Sequence, residues 1–513
     1  MTVPTARATI RVVKETYCDS LKLLVASGTM TAIDGVEWAG AVMGTAAGLA
    51  RLADAGVILT DGPRANDLVL AVVTDDQSTA ESALDAGVEA VFQADASDAT
   101  PGHVAEAPRT IESAVAQQGD ATVAIISVPG AYAALEAHHA LGSGLHVLLF
   151  SDNVTLGEER ELKERARDLG LLMMGPGAGT AVVAGAGLGF ANALARGPVG
   201  VVAAAGTGAQ EVSTLLSRWR VGVSHVIGVG GRDLSADVGG LMAMSALRAL
   251  DADPGTEAIL IVSKPPDPAV AKAVLAACGS TPTVATFLGQ SELEAPAPAE
   301  LARTLEEGAM RVAELVGAAP AVVTTGLREW VASQVSSLAD ERRTVRGYFS
   351  GGTLCYEAQL ILGEHLGAVY SNEPLGPDLA VPAPAGSHVL LDLGAEEYTQ
   401  GRPHPMIDPS ARIEVMRASA RDAEVAVVLL DVVLGYGSHD DPAGELVAVC
   451  DEILSDGGPR VVAHVLGSED DPQGYSEQCA KLEAVGCLVT ETAARAAYAA
   501  AAIAARNPEL TER

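Results

Sequence analysis

Twice in this chain a short apolar strand runs directly into a glycine-rich turn and then into a helix that carries a glutamate. The first opening is Val199-Gly200-Val201-Val202-Ala203-Ala204-Ala205-Gly206-Thr207-Gly208, with Glu211 in the helix that follows. The second is Gly347-Tyr348-Phe349-Ser350-Gly351-Gly352-Thr353-Leu354, with Glu357 in its helix. A strand that turns through glycine into a helix opens a βαβ unit, so two openings predict two α/β domains of like topology. The elements that follow keep the same order: a second strand (226–229; 389–393), then Gly228-Val229-Gly230-Gly231-Arg232-Asp233 or Asp392-Leu393-Gly394. Next come a helix (239–249; 412–419), a third strand (258–262; 425–430), another helix and a fourth strand (283–286; 460–464). Each copy reads as a flavodoxin-like domain, spanning 196–330 and 340–505. The Pro- and Ala-rich stretches 291–298 and 373–386 read as a linker and a surface loop.

Upstream, residues 109–195 alternate helix with strands at 123–128, 146–150 and 171–174, which predicts a parallel, Rossmann-like sheet with right-handed crossovers. Residues 1–100 alternate β-rich runs (10–13, 36–43, 68–73) with helical ones (20–32, 45–55, 78–86), a small α+β, ferredoxin-like domain. The Asp-, Ala- and Pro-rich stretch 95–108 reads as the linker between them. A chain of 513 residues exceeds the ~250–300 that one core sustains, in keeping with several domains. With 54 glycines and only 3% aromatic residues, helices and strands must approach closely over small side chains. Residues 171–195 carry no charge over a length that would span a bilayer, but six glycines and a proline break them into turns.

Charge excludes one class of partner. Against 66 Asp and Glu stand 33 Lys and Arg, a formal charge of −33, and only six of the cations are lysines. Nucleic-acid binding rests on neutralising phosphates with Lys and Arg, so no nucleic-acid partner is expected. The six cysteines show no CxxC spacing, and residues 1–14 lack a signal-peptide core, which together predict a reduced, cytoplasmic protein. No membrane partner is expected. His225, His404 and His439 pair with no cysteine or carboxylate at metal-ligand spacing, so no metal is expected.

A helix that begins directly after a strand aims its unpaired N–H groups, and the positive end of its dipole, at whatever lies beyond. Three turns are therefore candidate phosphate sites: Gly206, Thr207 and Gly208; Ser350, Gly351, Gly352 and Thr353; and Gly435, Gly437 and Ser438 after the strand ending at Leu430. The plain alternative is that these are αβ turns needing glycine for their backbone alone. Glu211 is placed to orient a nucleophile or take a proton, and His439 beside a phosphate turn to act as acid or base. Glu357 holds the matching place in the second copy; both glutamates also read as solvated helix residues. Cys355 reads either as an activated thiol at a helix start or as a small buried one.

These residues resemble a known superfamily. Arg109 to Gly177, with Thr110-Ile111-Glu112-Ser113-Ala114, Val128-Pro129 and Met174-Gly175-Pro176, is similar to the later half of the CoA-binding domain of the succinyl-CoA synthetase α subunit. Val199 to Val262, with Gly228-Val229-Gly230-Gly231 and Asp253-Pro254-Gly255-Thr256-Glu257, resembles that subunit's ligase domain, and Gly347 to Val489 the β subunit's. The fold implied is a Rossmann-like domain plus two flavodoxin-like, CoA-ligase-type domains. Val12-Val13-Lys14-Glu15-Thr16-Tyr17-Cys18-Asp19-Ser20, with Tyr348 to Cys355, is similar more narrowly to the FdrA family.

Three parts of a CoA ligase are missing from the sequence. Residues 1–100 hold no matching Gly-rich CoA loop, 288–315 contains no histidine to phosphorylate, and the stretch between the ligase-type units is too short for ATP-grasp. Gly177-Ala178-Gly179 also replaces the Asn-Cys-Pro usual after Gly-Pro. What the resemblance still implies is phosphate held between two facing helix ends, at Gly206 to Gly208 and Gly435 to Ser438, with Glu211 at the family glutamate. The FdrA resemblance implies a subunit of an oxamate carbamoyltransferase in allantoin breakdown, converting N-carbamoyl oxamate and phosphate to carbamoyl phosphate and oxamate. Companion subunits and a homo-oligomer are the partners implied; phosphate is a substrate, and no cofactor is expected. The alternatives are an acyl-CoA synthetase subunit, which would bring CoA, and a non-catalytic scaffold that binds a small anion.

Overall fold

The computed structural model describes residues 7–14, 16, 18, 20–57, 59, 62–93, 108–290, 293–322, 324–399 and 402–512. Of the expected linker 95–108 only Pro108 is among them; Glu15, Tyr17, Asp19 and Ser291 lie outside. The chain forms two compact units, Met1–Ala107 with Glu396–Pro403, and Pro108–Ala395 with His404–Arg513.

The first unit is a small α+β fold: β1 (Arg7–Val13), α1 (Ser20–Thr31), β2 (Trp38–Met43), α2 (Ala46–Asp54), β3 (Leu68–Thr74) and α3 (Gln77–Gln93). The sheet is antiparallel in the order β1-β3-β2. Central β3 reads Leu-Val-Leu-Ala-Val, and each of these residues, Leu68 to Val72, is fully buried. Such an unbroken apolar run requires cover on both faces of the strand. Gly87 on α3 makes the helix cover possible, since a Cβ there would stand 2.6 Å from the Met30 sulfur on α1.

The second unit opens with α4 (Ile111–Gln118), β4 (Val123–Ile126), α5 (Gly130–Gly142), β5 (His146–Leu149), α6 (Leu156–Leu169) and β6 (Met173–Met174). The strands pair in parallel as β4-β5-β6. Thr110 and Thr155 start α4 and α6 with reciprocal capping boxes, and Gly170, at φ 71°, ends α6.

The uncharged stretch after β6 forms the hairpin β7 (Thr180–Val183) and β8 (Ala186–Gly189), which joins the next sheet rather than the preceding one. That sheet continues with β9 (Arg196–Ala204), α7 (Gly206–Arg218), β10 (Val223–Gly228), α8 (Leu241–Asp251), β11 (Ala258–Ser263), α9 (Pro268–Ala276), β12 (Thr283–Phe287), β13 (Ala299–Ala302) and α10 (Leu305–Leu315). Its order is β13-β12-β11-β9-β10-β7-β8. The boundary expected at 196 thus falls inside a sheet that begins at Thr180: β7 satisfies the free edge of β10, a pairing that no local pattern announces.

After α11 (Leu327–Ser336) the second half comprises β14 (Thr344–Phe349), α12 (Gly352–Leu366), β15 (Val369–Ser371), β16 (His388–Asp392), α13 (Glu396–Thr399, which belongs with the first unit), α14 (Ser410–Ala420), β17 (Val425–Val433), α15 (Pro442–Leu454), β18 (Arg460–Leu466), α16 (Tyr475–Ala484), β19 (Leu488–Thr490) and α17 (Ala493–Ala505). Its order is β15-β16-β14-β17-β18-β19. Counted from β9 and from β14, and setting aside the added β7, β8 and β15, both sheets run 2-1-3-4-5, the flavodoxin order. Ligands in such sheets bind beyond the carboxyl ends of the strands where the winding reverses, here between β9 and β11 and between β14 and β17.

One apolar core joins the halves: Val201, Leu215 and Val284 of the first share it with Leu354, Leu429 and Val462 of the second. The alanine-rich α17 lies within it, and its small side chains let it pack closely against α12 and β17. Among the described residues no helix is long and apolar enough to cross a membrane.

Candidate functional site

Helices α7 and α12 begin at the winding reversals of their two sheets, and their amino ends meet. The Thr353 N–H of α12 donates to Thr207 Oγ1 of α7 at 3.3 Å. Glycine is required for this approach: a Cβ on Gly208 would stand 2.9 Å from Thr353 Cγ2, and one on Gly351 2.9 Å from Thr207 Cγ2. The pair of facing helix ends is therefore formed by the turns at Gly206–Gly208 and Ser350–Thr353.

The turn at Gly435–Ser438 is a correction. It opens no helix; α15 starts later, at Pro442, under an Asp441 cap. Its backbone is already engaged, with Gly435 N–H donating to Gln473 Oε1 at 3.1 Å, Tyr436 N–H to the Ala191 carbonyl at 2.9 Å and Ser438 N–H to the Gly435 carbonyl at 3.3 Å. Three of its four amides are thus spent within the protein, and the Gly437 N–H and the buried Ser438 hydroxyl have no partner among the described residues. His439 follows suit: its Nδ1 accepts the Asp441 N–H at 3.1 Å, so the ring shapes the start of α15.

The facing ends differ in what they offer. Among the described residues no acceptor reaches the N–H groups of Gly206, Thr207 or Gly208, and Gly206 is exposed. On α12 the Ser350 and Gly351 N–H groups donate to the two carboxylate oxygens of Asp431, at 2.8 and 2.7 Å. Asp431 is in turn held by buried Arg412 at 3.2 Å, and that guanidinium also donates to Ser350 Oγ at 2.7 Å. The end of α7 is open to an anion; the turn ahead of α12 carries a carboxylate supplied by the chain, and of the first three N–H groups of α12 only that of Thr353 has an acceptor among the described residues.

Around these ends stand Lys264, just past β11, and Asp392, at the end of β16. A Cβ on Gly352 would lie 2.3 Å from Asp392 Oδ2 and 3.4 Å from Lys264 Nζ. Burial raises the Asp392 carboxyl to about 6, with Lys264 pulling it back down. His404 flanks the same turn across Gly394: burial pushes its ring down to about 4, and Nδ1 accepts the Met406 N–H, which leaves the ring proton on Nε2. Burial drives the Cys355 thiol well up, so it is the small buried thiol and not an activated one.

Glu211 is neither solvated nor open to a ligand. One oxygen lies 2.7 Å from His464 Nε2, and the other accepts the Ala493 N–H at 3.0 Å, at the start of α17. Burial works to raise this carboxyl, but the charge and hydrogen bond of His464 outweigh it and hold the group below its ordinary value. It acts on protein partners and is a positioning residue. Glu357 accepts the Leu305 N–H at the start of α10, at 2.7 Å; its other oxygen has no partner among the described residues, and burial raises its carboxyl to about 8. His225 lies elsewhere, lining an apolar cavity of about 240 Å³ with Val123, His146 and Ile227.

Sequence reasoning missed Lys264, Asp431, Arg412 and His464. The signal was present for two of them: Asp431 and His464 are flanked on both sides along their strands by buried apolar residues.

Residues 348–503 match the CoA-ligase family, and residues 5–108 match a family described as AllF, heavy metal-associated domain. Over 490 residues, 93% of this chain and 95% of its counterpart, the sequence is 38% identical to the uncharacterized protein YahF of Escherichia coli (strain K12). The chain belongs to the YahF family. A stretch of 159 residues, 30% of the chain and 53% of the relative, is 28% identical to the succinate–CoA ligase [ADP-forming] subunit alpha 1 of Archaeoglobus fulgidus. Among solved structures, PH0766 from Pyrococcus horikoshii OT3 is 15% identical over 80% of this chain and 86% of that one; its TM-score of 0.27 is too low to bear on function. This YahF-family chain thus carries a CoA-ligase domain of the succinyl-CoA synthetase-like superfamily behind an AllF-type amino-terminal domain. A heavy metal-associated domain implies a soft metal. Residues 5–108 contain one cysteine, Cys18, and one histidine, His103, and Cys18 is buried with its N–H on the Met43 sulfur at 3.4 Å. That donor set does not fit a soft-metal site.

Proposed function

We propose that the chain is the phosphate-holding subunit of an acyl transferase, and more narrowly of a carbamoyltransferase that makes carbamoyl phosphate. The observation that carries this reading is the open amino end of α7, three unpaired N–H groups facing α12 across glycine contacts. The AllF-type domain supports placing the reaction in allantoin breakdown. An oxygen of hydrogen phosphate attacks the carbamoyl carbon of N-carbamoyl oxamate, the C–O bond forms, and the bond from that carbon to the oxamate nitrogen breaks. The phosphate proton passes to that nitrogen, giving carbamoyl phosphate and oxamate with charge and atoms balanced. The Gly206, Thr207 and Gly208 amides hold the phosphate and need no reorganisation as charge shifts.

The test is a thermal-shift titration of the full chain with phosphate, carbamoyl phosphate, CoA and ATP, since a ligand that binds only the folded state raises apparent stability. Phosphate and carbamoyl phosphate should stabilise the wild type and not Gly208→Val, whose side chain would fill the contact with Thr353. Stabilisation by CoA with thioester formation, and none by phosphate, would replace this reading with a CoA-ligase subunit.

A further inference from the structure

Lysines are scarce in this acidic chain, and two in the second unit, Lys163 and Lys264, live very differently. Lys163 is fully buried and saturated, with Glu159 Oε1 and Asp233 Oδ1 each at 2.8 Å and the Val229 carbonyl at 2.9 Å. Lys264 is half-buried at the carboxyl edge of the first sheet, immediately after Ser263, which pairs with Ala204 beside the α7 turn. Among the described residues it has no carboxylate within 4.0 Å and no hydrogen-bond acceptor. Its ammonium reaches from the first half to the amino end of α12, 5.9 Å from the centre of the Tyr356 ring. Asp392, across the gap, gives Oδ1 to the Gly394 N–H at 3.0 Å and turns Oδ2 toward Gly352. The gap between them is kept clear by Gly352, where any Cβ would collide with Asp392. Arg412, the other cation of the site, is already bound to Asp431 and Ser350.

A half-buried ammonium that feels Asp392 only across a gap, with no hydrogen-bond acceptor of its own among the described residues, is costly unless something completes it. The net charge of −33 makes the need sharper, because an anionic substrate would otherwise be repelled. We infer that Lys264 is the specificity residue that anchors a carboxylate on the acyl donor, beside the phosphate at α7. This rests on the proposed transferase reading and adds the residue that reads its donor: the donor's carboxylate is held by a point charge from the first half against the helix end of the second. A charge-assisted hydrogen bond of this kind contributes roughly 10- to 100-fold in affinity.

The experiment compares oxamate, which has the carboxylate, with oxamide, its neutral amide, by thermal shift and calorimetric titration of the full chain, without turnover. Oxamate should stabilise the wild type, bind roughly 10- to 100-fold more weakly to Lys264→Met, and recover in part with Lys264→Arg. Oxamide should not distinguish the variants. Phosphate should shift wild type and Lys264→Met alike, which also shows that the variant is folded. Equal oxamate binding by wild type and Lys264→Met, or none by either, overturns the assignment of Lys264. Loss of phosphate binding in Lys264→Met would also overturn it, by making the lysine part of the phosphate site. Absence of a phosphate shift in every variant, with oxamate binding still dependent on Lys264, would instead overturn the transferase reading and leave the anchor standing.

Discussion

Strand for strand, the two flavodoxin-like halves occupy the same positions and use them for different ends. Glu211 and Glu357 each lie six residues beyond the cap of their helix, Ala205 or Gly351, and each accepts the first N–H of the last helix of the other half, at Ala493 or Leu305. This exchange of caps is shared and holds the halves together. The strands beside it diverge. Val202, Ile261 and Ala285 align across the first sheet as Tyr348, Leu430 and Ala463 do across the second; one residue on, Val262 and Thr286 correspond to Asp431 and His464. Asp431 takes the two amides just ahead of α12, those of Ser350 and Gly351, whereas Val262 at the matching place brings no carboxylate to the α7 turn. His464 completes Glu211, whereas Thr286 Oγ1 and Glu357 Oε2 both remain without partners. What the halves share maintains the fold; where they differ, one offers an anion site.

The strongest way to break this comparison is to copy the first half onto the second. Asp431→Val leaves Arg412 buried with its charge uncompensated, and should cost about 3–5 kcal/mol in urea unfolding of the second unit. Adding Arg412→Leu should restore much of that loss. A loss under about 1 kcal/mol for the single variant would mean that Asp431 does not hold the turn.

The sequence made the shared part legible and hid the difference. Paired strand-glycine-helix openings at Val199 and Gly347 are local patterns, so both domains, their strand order and the helix ends at Gly206 and Gly352 could be read directly. The partner of the α7 end could not: Thr353 meets Thr207 only because two sheets pack through α17, a contact with no local signature. The family resemblance points to Gly435–Ser438 as the partner, and only the structure shows that this turn opens no helix and that its Gly435 and Tyr436 amides go to Gln473 and Ala191. Lys264 carries no local signal, since its meaning depends on what α12 brings beside it.

Glu357 gives a pH test of the same asymmetry. Its carboxyl titrates near 8 in the folded chain against an ordinary 4.5, because burial penalises the ion. The stability carried by the protonated group is whole below about pH 4.5 and is lost as pH rises through 8. Glu357→Gln cannot ionise and keeps the acceptor for Leu305. It should match the wild type near pH 4.5 and be more stable by roughly 2–4 kcal/mol above pH 8, with the gap opening between. Parallel pH profiles for the two proteins would show that the group titrates normally.

A smaller effect comes from exchanging the fourth-strand residues. His464→Thr, which gives the second half the first half's side chain, takes from Glu211 one of its two partners while leaving it buried. It should destabilise by about 2–3 kcal/mol. Because Glu211 caps α17, amide exchange at the start of that helix should quicken more than elsewhere. Uniform acceleration would assign His464 a general packing role.

The least effect should come from the residue that occupies the same place in the first half. Thr286 is fully buried and its hydroxyl has no partner, so it bears a desolvation cost that no hydrogen bond offsets. Valine has nearly the same shape and lacks that oxygen. Thr286→Val should therefore leave stability within about 1 kcal/mol of the wild type, or raise it, where His464→Thr lowers it. If Thr286→Val instead costs as much as His464→Thr, the hydroxyl has a partner, with a bridging water to the free oxygen of Glu357 the simplest candidate. Thr286→Val and Glu357→Gln would then be non-additive in a double-mutant cycle, and the two halves would hold their glutamates by equivalent means.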